Sequence, residues 1–314
     1  MNTRNLCFRS NRVRDIIALF HEELDDVYGS GEVGVFIDML FETFLGWGKV
    51  RLLTSKEQTI DQSDLLRFHW ALEDLKQHRP IQHIIGYTEF CGCRIKVSPD
   101  VLIPRPETEE MVGWIIKNEE LRIKNVLDLC TGSGCIAIAL KKAFPEAEVT
   151  AVDVSEKALA LARKNATDKG VSVDFVLGDV LGLHTPQALL CTQSSARNAT
   201  GISLPNLGEQ QKYDLIVSNP PYVRMSERAA MQANVLDYEP GLALFVPDED
   251  PLRFHKAIAA IAQRSLKKEG LLVVEINEAL ADETCAVFAA VGLKTMVYKD
   301  FRWKSRWISA VWNP

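Results

Sequence analysis

The chain has 314 residues, 47% of them hydrophobic and 25% charged, which at ~150 residues per domain predicts about two ordinary globular domains. Its formal net charge of -6 argues against a protein whose affinity comes from neutralising many nucleic-acid phosphates. No run approaches the ~20 apolar residues that span a bilayer, and Met1 to Arg14 is polar and lacks the apolar segment of a secretory signal, so a cytoplasmic protein without a membrane contact is expected.

From Arg12 to about His78 the apolar residues recur at helical spacing: Val13, Ile16, Ile17, Phe20 and Leu24, then Val35, Phe36, Met39, Leu40 and Phe44, then Leu65, Phe68, Leu72 and Leu75. Three helices follow from that period, with Gly29-Ser30-Gly31 between the first two and Ser63-Asp64 opening the third. The aromatic face Phe36, Phe41, Phe44 and Trp47 reads as core packing. After Arg79-Pro80 the period shortens, and Tyr87 to Phe90 and Arg94 to Val97 flank Cys91-Gly92-Cys93 as a hairpin. Pro99, Pro104 and Pro106 then punctuate the chain before a helix from about Thr108 to Asn118, whose first turn carries Glu107, Glu109 and Glu110. The predicted division is a helical domain over 1–80, a hairpin and Pro-rich linker over 81–107, and a catalytic domain over 108–314.

Beyond Asn125 strands and helices alternate: Val126 to Leu129, a helix to Ala143, Glu148 to Asp153, a helix to Lys169, Val173 to Leu177, Tyr213 to Ser218, a helix near Leu252 to Leu266, and Leu271 to Ile276. Alternation of this kind predicts an α/β fold, a mostly parallel sheet with helices on both faces. Ala279 to Ala290, Leu293 to Asp300 and Trp307 to Trp312 add a helix and two strands with no crossover between them, so the sheet is expected to end in an antiparallel pair. Leu183 to Lys212, rich in Thr, Gln, Ser, Asn and Gly, has no periodicity and reads as a surface excursion. Its Asn198-Ala199-Thr200 sequon carries little weight in a cytosolic chain.

The seven cysteines form no C-x-x-C pair and the six histidines no metal motif, so the thiols read as reduced small hydrophobes and no metal site is expected. Two segments carry chemistry. In Asp128-Leu129-Cys130-Thr131-Gly132-Ser133-Gly134-Cys135-Ile136-Ala137 a strand runs into a helix through G-x-G-x-x-A, and Asp153 ends the next strand. Glycines there admit a ligand close to the backbone, and the acid is placed to accept from ribose hydroxyls, which indicates a nucleoside cofactor without naming it. Asp179 and Val180 follow the third strand, where an adenine amino group could donate to the acid.

The second segment is Tyr213 to Ser218 leading into Asn219-Pro220-Pro221-Tyr222, at the carboxyl edge of the sheet. The side-chain oxygen of Asn219 and the carbonyl of Pro220 can each accept one hydrogen of an NH2 group, while Tyr222 covers the face of a planar substrate. Such a grip aims a poorly nucleophilic nitrogen at an electrophile and stabilises the positive charge that develops on it.

The combination of Asp128 to Gly134, Asp153, Asp179 and Asn219 to Tyr222 resembles an S-adenosylmethionine-dependent amino methyltransferase with a Rossmann-like sheet. Val101-Leu102-Ile103-Pro104-Arg105-Pro106-Glu107-Thr108-Glu109, with Tyr238-Glu239-Pro240, narrows the resemblance to the HemK/PrmC family, which methylates the side-chain amide of a glutamine, preceded by two glycines, in peptide chain release factors. The resemblance covers about Pro80 to the end. It implies S-adenosylmethionine held by Cys130, Thr131, Gly132, Ser133, Gly134, Asp153, Asp179, Val180 and Asn219, and an acceptor amide held by Asn219, Pro220, Pro221 and Tyr222, with Asn219, Pro220 and Tyr222 catalytic. Cys130 stands where the family has a glycine, and Leu183 to Lys212 is longer than the corresponding connection. A release factor is the implied partner, the helical domain its reader, and a monomer the expected state. The alternatives are a ribosomal-protein glutamine, or an exocyclic base amine flipped out of nucleic acid; the acidic charge and the absence of a Lys/Arg-rich stretch weigh against the latter.

Overall fold

The computed structural model describes residues 8, 10–118, 122–182 and 212–313; the 183–211 part of the excursion and its sequon lie outside them. The chain divides into two compact units, the residues up to Tyr87 together with Gln232–Tyr238, and Thr88–Met231 together with the residues from Glu239 onward.

The first unit contains α1 (Val13–Tyr28), α2 (Ser30–Leu45), α3 (Lys49–Thr54), α4 (Gln62–Lys76) and α5 (Ile81–Ile85). Val13, Ile16, Phe20 and Leu24 of α1 are fully buried, as their three- and four-residue spacing requires of one helical face. On α2 the buried face is Val33, Phe36, Ile37, Leu40 and Phe41, so Val35, predicted to face the core, points outward at 54% exposure. Phe41 and Phe68 centre this core, their rings 4.5 Å apart. The start of α4 differs from the predicted one by two residues, because Asp61 is its N-cap and accepts from the Asp64 N–H at 2.9 Å, the position from which a carboxylate satisfies a free first-turn donor. Gln232–Tyr238, with a single helical turn at Ala233–Leu236, belongs to this unit, and the Tyr238 hydroxyl donates to the Gln77 carbonyl at 2.7 Å. Sequence periodicity had no means of revealing that distant return.

In the second unit β2 (Cys93–Lys96) is the far arm of the hairpin whose near arm, β1 (Tyr87–Phe90), starts at the end of the first unit. Cys91 and Gly92 both have positive φ (47° and 69°), the signature of a two-residue hairpin turn twisted to match its strands. After α6 (Pro106–Lys117) come β3 (Asn125–Leu129), α7 (Cys135–Ala143), β4 (Glu148–Asp153), α8 (Glu156–Lys169), β5 (Asp174–Leu177), β6 (Tyr213–Ser218), the small parallel pair β7 (Val223–Arg224) and β8 (Phe245–Val246), α9 (Arg253–Ser265), β9 (Leu266–Glu275), α10 (Ala281–Ala289), β10 (Leu293–Lys299) and β11 (Ser305–Trp312).

The seven-stranded sheet runs β10-β11-β9-β6-β3-β4-β5. All neighbours are parallel except β11, which lies antiparallel between β9 and β10. The expected terminal hairpin is therefore present, with its second strand inserted inward. The central strands are buried on both faces. Val126, Leu215, Val217 and Val273 face one layer with α6 and α7, whereas Leu127, Ile216, Leu272 and Val274 face the other with α9 and Phe288 of α10. This two-sided burial explains why these strands read as continuous apolar runs. β9 starts five residues before its predicted start, at Leu266, because the polar Lys267-Lys268-Glu269 stretch masks the pairing of Leu266 with Tyr213.

From β3 the chain proceeds to β4 and β5 on one side, then returns to β6 and β9 on the other. The carboxyl ends of β3 and β6 thus flank the point where strand order reverses, the place at which open α/β sheets admit ligands. Among the described residues no helix is long and apolar enough to cross a membrane.

Candidate active site

The turn after β3 is built by short local contacts. Thr131 donates its hydroxyl to Asp128 Oδ2 at 2.6 Å and its N–H to the Val152 carbonyl at 3.0 Å, and Gly134 N–H closes on the Thr131 carbonyl at 2.9 Å. Burial pushes Asp128 up to about 7, against the Thr131 hydrogen bond, so this acid serves the loop's architecture. Cys130 has φ 61°. That is the left-handed region, where a side chain is tolerated at a cost and glycine at none, which accounts physically for the glycine usual at this position.

Gly134 caps α7 at φ 79°, and a Cβ there would lie 3.0 Å from Ala162 Cβ, so the helix starts where only glycine lets it approach α8. Gly134→Ala is expected to destabilise the fold by ~1–3 kcal/mol from the strained conformation and the overpacking together. Urea unfolding midpoints of the two chains provide the check, and an unchanged midpoint contradicts it.

Asp153 ends β4 beside this turn. Its Oδ2 accepts from the Gly132 N–H at 2.8 Å and its Oδ1 from the Ser155 N–H at 2.9 Å. The carboxylate still has acceptor capacity for a ligand hydroxyl. Burial raises its affinity for a proton, while the N–H groups of Ser155, Gly132 and Val154 oppose that. Asp179 follows β5 and bonds the Leu181 N–H at 2.9 Å through Oδ1.

A cleft of about 270 Å³ opens here, and its walls bring together Cys130, Thr131, Gly132, Ser133, Asp153, Asp179, Val180, Asn219 and Pro221. Gly134, behind the turn, is absent from these walls. Among the described residues, the charged ones lining it are Asp100, Asp153 and Asp179, with no Lys or Arg. The diphosphate of a dinucleotide would meet only like charge there. A ligand carrying a sulfonium and an ammonium against one carboxylate is net positive, and the same acids attract it. Cys130 also lines the cleft, and burial with Asp153 and Asp128 nearby raises its thiol well above the ordinary value. It stays protonated and so does not compete as a nucleophile.

A second cavity of about 50 Å³ is lined by Arg105, Pro220, Tyr222, Val223 and Leu244, and it shares Leu102, Asn219 and Ala243 with the first. Asn219 Nδ2 donates to the Thr108 hydroxyl at 3.0 Å, which leaves Oδ1 as an open acceptor. Tyr222 donates its hydroxyl to Glu275 Oε2 at 3.2 Å, and its carbonyl accepts from Asn277 Nδ2 at 3.2 Å. Burial next to Glu275 holds this phenol far above its ordinary value, hence protonated. The ring is therefore fixed at its far end, which its reading as a simple planar cover did not foresee. Burial pushes Glu275 up to about 7, against the Thr108 and Tyr222 hydroxyls that favour its charge.

The Pro104 to Glu109 run and Tyr238-Glu239-Pro240 meet at one ion pair. Glu239, 7% exposed, accepts from Arg105 Nη2 at 2.6 Å and from the Ile103 N–H at 2.9 Å. This pins the segment that carries Leu102 and Arg105, one wall of the smaller cavity.

A doubly wound sheet whose switch-point cleft favours a cationic nucleoside is the property of S-adenosylmethionine-dependent methyltransferases, and residues 126–236 match the family described as Methyltransferase domain. Residues 22–86 match the PrmC N-terminal domain. The chain is 40% identical over 295 residues to the release factor glutamine methyltransferase of Flavobacterium psychrophilum, covering 92% of this chain and 95% of that one. It is also 40% identical over 296 residues to the enzyme of the same description from Bacteroides thetaiotaomicron, with 94% and 98% covered, and 33% identical over 307 residues to that of Chlorobaculum tepidum, with 95% of each covered. The chain belongs to the release factor glutamine methyltransferase family, and its methyl donor is S-adenosylmethionine.

Proposed function

We propose that the chain transfers a methyl group from S-adenosylmethionine to the side-chain amide nitrogen of the glutamine in a Gly-Gly-Gln sequence of a peptide chain release factor. The observation that carries this reading is the bond from Asn219 Nδ2 to Thr108, which leaves the Asn219 oxygen free to accept from a substrate NH2. Full-length likeness to release factor glutamine methyltransferases supports the choice of partner.

The donor supplies an electrophilic methyl on a cationic sulfur. Asp153 would hold ribose hydroxyls, the turn of Cys130 to Ser133 would meet the methionine end, and Asp179 with Val180 would border the adenine. On the other side of the loop, Asn219 Oδ1 and the Pro220 carbonyl each take one hydrogen of the acceptor NH2. Tyr222 and Pro221 confine its plane, so the nitrogen lone pair is held toward the cleft. The two accepting oxygens stabilise positive charge appearing on nitrogen as its bond to the methyl carbon forms and the carbon–sulfur bond breaks, the bonding pair leaving with sulfur as a neutral thioether. The N-methylated amide is acidic enough to lose its extra proton to water, so no side chain has to act as base. The helical unit is assigned to recognition of the protein substrate.

Incubation with isotopically labelled methyl donor and a purified release factor, followed by mapping of the label, tests this. Label on the glutamine after two glycines is expected; label elsewhere, or on nucleic acid in preference, contradicts the reading. Asp153→Ala should weaken donor binding by ~1.5–3 kcal/mol, the range for a hydrogen bond to a charged group. Calorimetric titration measures it, and an unaltered affinity removes Asp153 from the cofactor site.

A further inference from the structure

We propose that Asn277 is a positioning residue for methyl transfer, acting by holding the backbone of Tyr222 so that the accepting oxygens just before it keep their places. The proposal rests on the reading that Asn219 and the Pro220 carbonyl grip the acceptor amide. That grip constrains the chain, because an oxygen that is to accept from a substrate must stay unpaired within the protein. Pro220 and Pro221 also have no N–H with which to bond a neighbouring element. The loop therefore has to be held at its ends. At its start Asn219 Nδ2 donates to Thr108 at 3.0 Å. At its far end the Tyr222 carbonyl accepts from Asn277 Nδ2 at 3.2 Å, the Val223 N–H donates to the Leu244 carbonyl at 3.0 Å, and the Arg224 N–H donates to Glu227 Oε2 at 2.8 Å.

Asn277, 8% exposed, links this loop to the end of β9. Because β6 and β9 are parallel neighbours, the chains leaving their carboxyl ends emerge side by side, and Asn277 follows β9 much as Tyr222 follows β6. Which way the Asn277 amide points is settled by groups of fixed polarity. Its Oδ1 accepts from the Ala279 N–H at 2.9 Å, a group that only donates, and its Nδ2 faces the Tyr222 carbonyl, a group that only accepts. The other hydrogen of Nδ2 goes to Glu227 Oε2 at 2.8 Å. A reversed amide would set Nδ2 against the Ala279 N–H and Oδ1 against the Tyr222 carbonyl. Tyr222 is thus fastened twice to one strand end, by its hydroxyl at Glu275 and by its carbonyl at Asn277. A ring held only at its hydroxyl can tilt about that bond. The second fastening fixes the backbone, and with it the direction of the Pro220 carbonyl.

The test measures kcat and KM for a release factor, donor Kd by calorimetry and the urea unfolding midpoint for the wild type, Asn277→Ala, Asn277→Asp and the Asn277→Asp, Glu227→Gln double variant. Asn277→Ala removes the donor to Tyr222. It is expected to lower kcat ~10- to 100-fold, at or below the cost of misplacing reacting groups by ~1 Å. Release-factor KM and donor Kd should each change less than about threefold, under ~0.7 kcal/mol. Asn277→Asp keeps the shape and the bond from Ala279 but turns an oxygen toward the Tyr222 carbonyl and Glu227, so both kcat and the midpoint should fall. Adding Glu227→Gln offers that oxygen a hydrogen and should return most of the midpoint. The Tyr222 carbonyl still lacks its donor, so kcat should stay within about threefold of the Asn277→Asp value. Should Asn277→Asp fail to fold, the split between kcat and KM in Asn277→Ala decides. If kcat recovers in step with the midpoint, if Asn277→Ala spares kcat, or if its loss lies in KM or donor Kd, Asn277 serves the fold alone and the proposal is wrong. A wild-type chain that labels no release-factor glutamine overturns the underlying reading and the clamp with it, whereas wild-type transfer to that glutamine with any of those three results overturns the clamp alone.

Discussion

Asn219→Ala is expected to lower methyl transfer on the order of 10²- to 10³-fold, the loss found when one preorganised contact to developing charge is removed. The side chain it deletes lines both cavities and is held by Thr108 at 3.0 Å. Without it the acceptor NH2 keeps only the Pro220 carbonyl, so its plane can rotate about a single hydrogen bond and the lone pair loses its aim. In the proposed site the donor keeps Asp153, the turn of Cys130 to Ser133 and Asp179, which follow β4, β3 and β5 and line the cleft. The expected pattern is a fall in kcat with donor affinity altered by no more than a few-fold. Single-turnover rates beside calorimetric titration resolve the two quantities. A variant that transfers methyl at the wild-type rate, or that loses donor binding in proportion to rate, removes Asn219 from the acceptor grip.

The two halves of the site differ in how far they can be read from sequence, and the reason is physical. The donor half is local. Asp128 to Ala137 is one continuous strand-turn-helix, Asp153 ends the next parallel strand, and parallel strands deliver their carboxyl ends to one edge; residue order therefore predicts spatial order. The strands themselves are legible because burial on both faces writes unbroken apolar runs such as Leu215-Ile216-Val217. The acceptor half is assembled from far apart. Thr108 reads only as part of a helix start, and its bond to Asn219 spans 111 positions. The Arg105 to Glu239 pair spans 134. Glu275 follows the apolar run Leu271 to Val274 as Asp153 follows the buried strand residues Val149 to Val152, and that likeness is the one sequence signal that marks it. Its partner Tyr222 comes from β6's following loop, and β6 pairs with β9, a neighbourhood set by topology and absent from linear order.

The acceptor site should also discriminate by hydrogen-bond polarity, and here a large effect is expected from a change of one group in the substrate. A release factor whose Gly-Gly-Gln glutamine is replaced by glutamate should be methylated ~10⁴-fold less well, the ratio that sites built to bind a donor achieve against an analogue lacking it. Asn219 Oδ1 and the Pro220 carbonyl both require hydrogens from the substrate, because the Asn219 NH2 is already committed to Thr108. A glutamate would turn lone pairs and charge toward those two oxygens. Arg105 lines the same cavity and could in principle welcome a carboxylate, yet its guanidinium is bonded to Glu239 at 2.6 Å and so already faces one. Glycine neighbours matter for a different reason. A side chain only a few bonds long reaches the bottom of a cleft only if its backbone enters as well, and the absence of Cβ atoms on the two preceding residues allows this entry. Mass spectrometry on the release factor, on its Gln→Glu variant and on a variant with alanines in place of both glycines measures these effects separately. The expected order is strong modification of the first, none detectable for the second, and slowed modification of the third. Methylation of the glutamate variant at a rate comparable to the natural sequence would falsify the donor-reading geometry, since an acceptor site made of carbonyl oxygens has no means of favouring it.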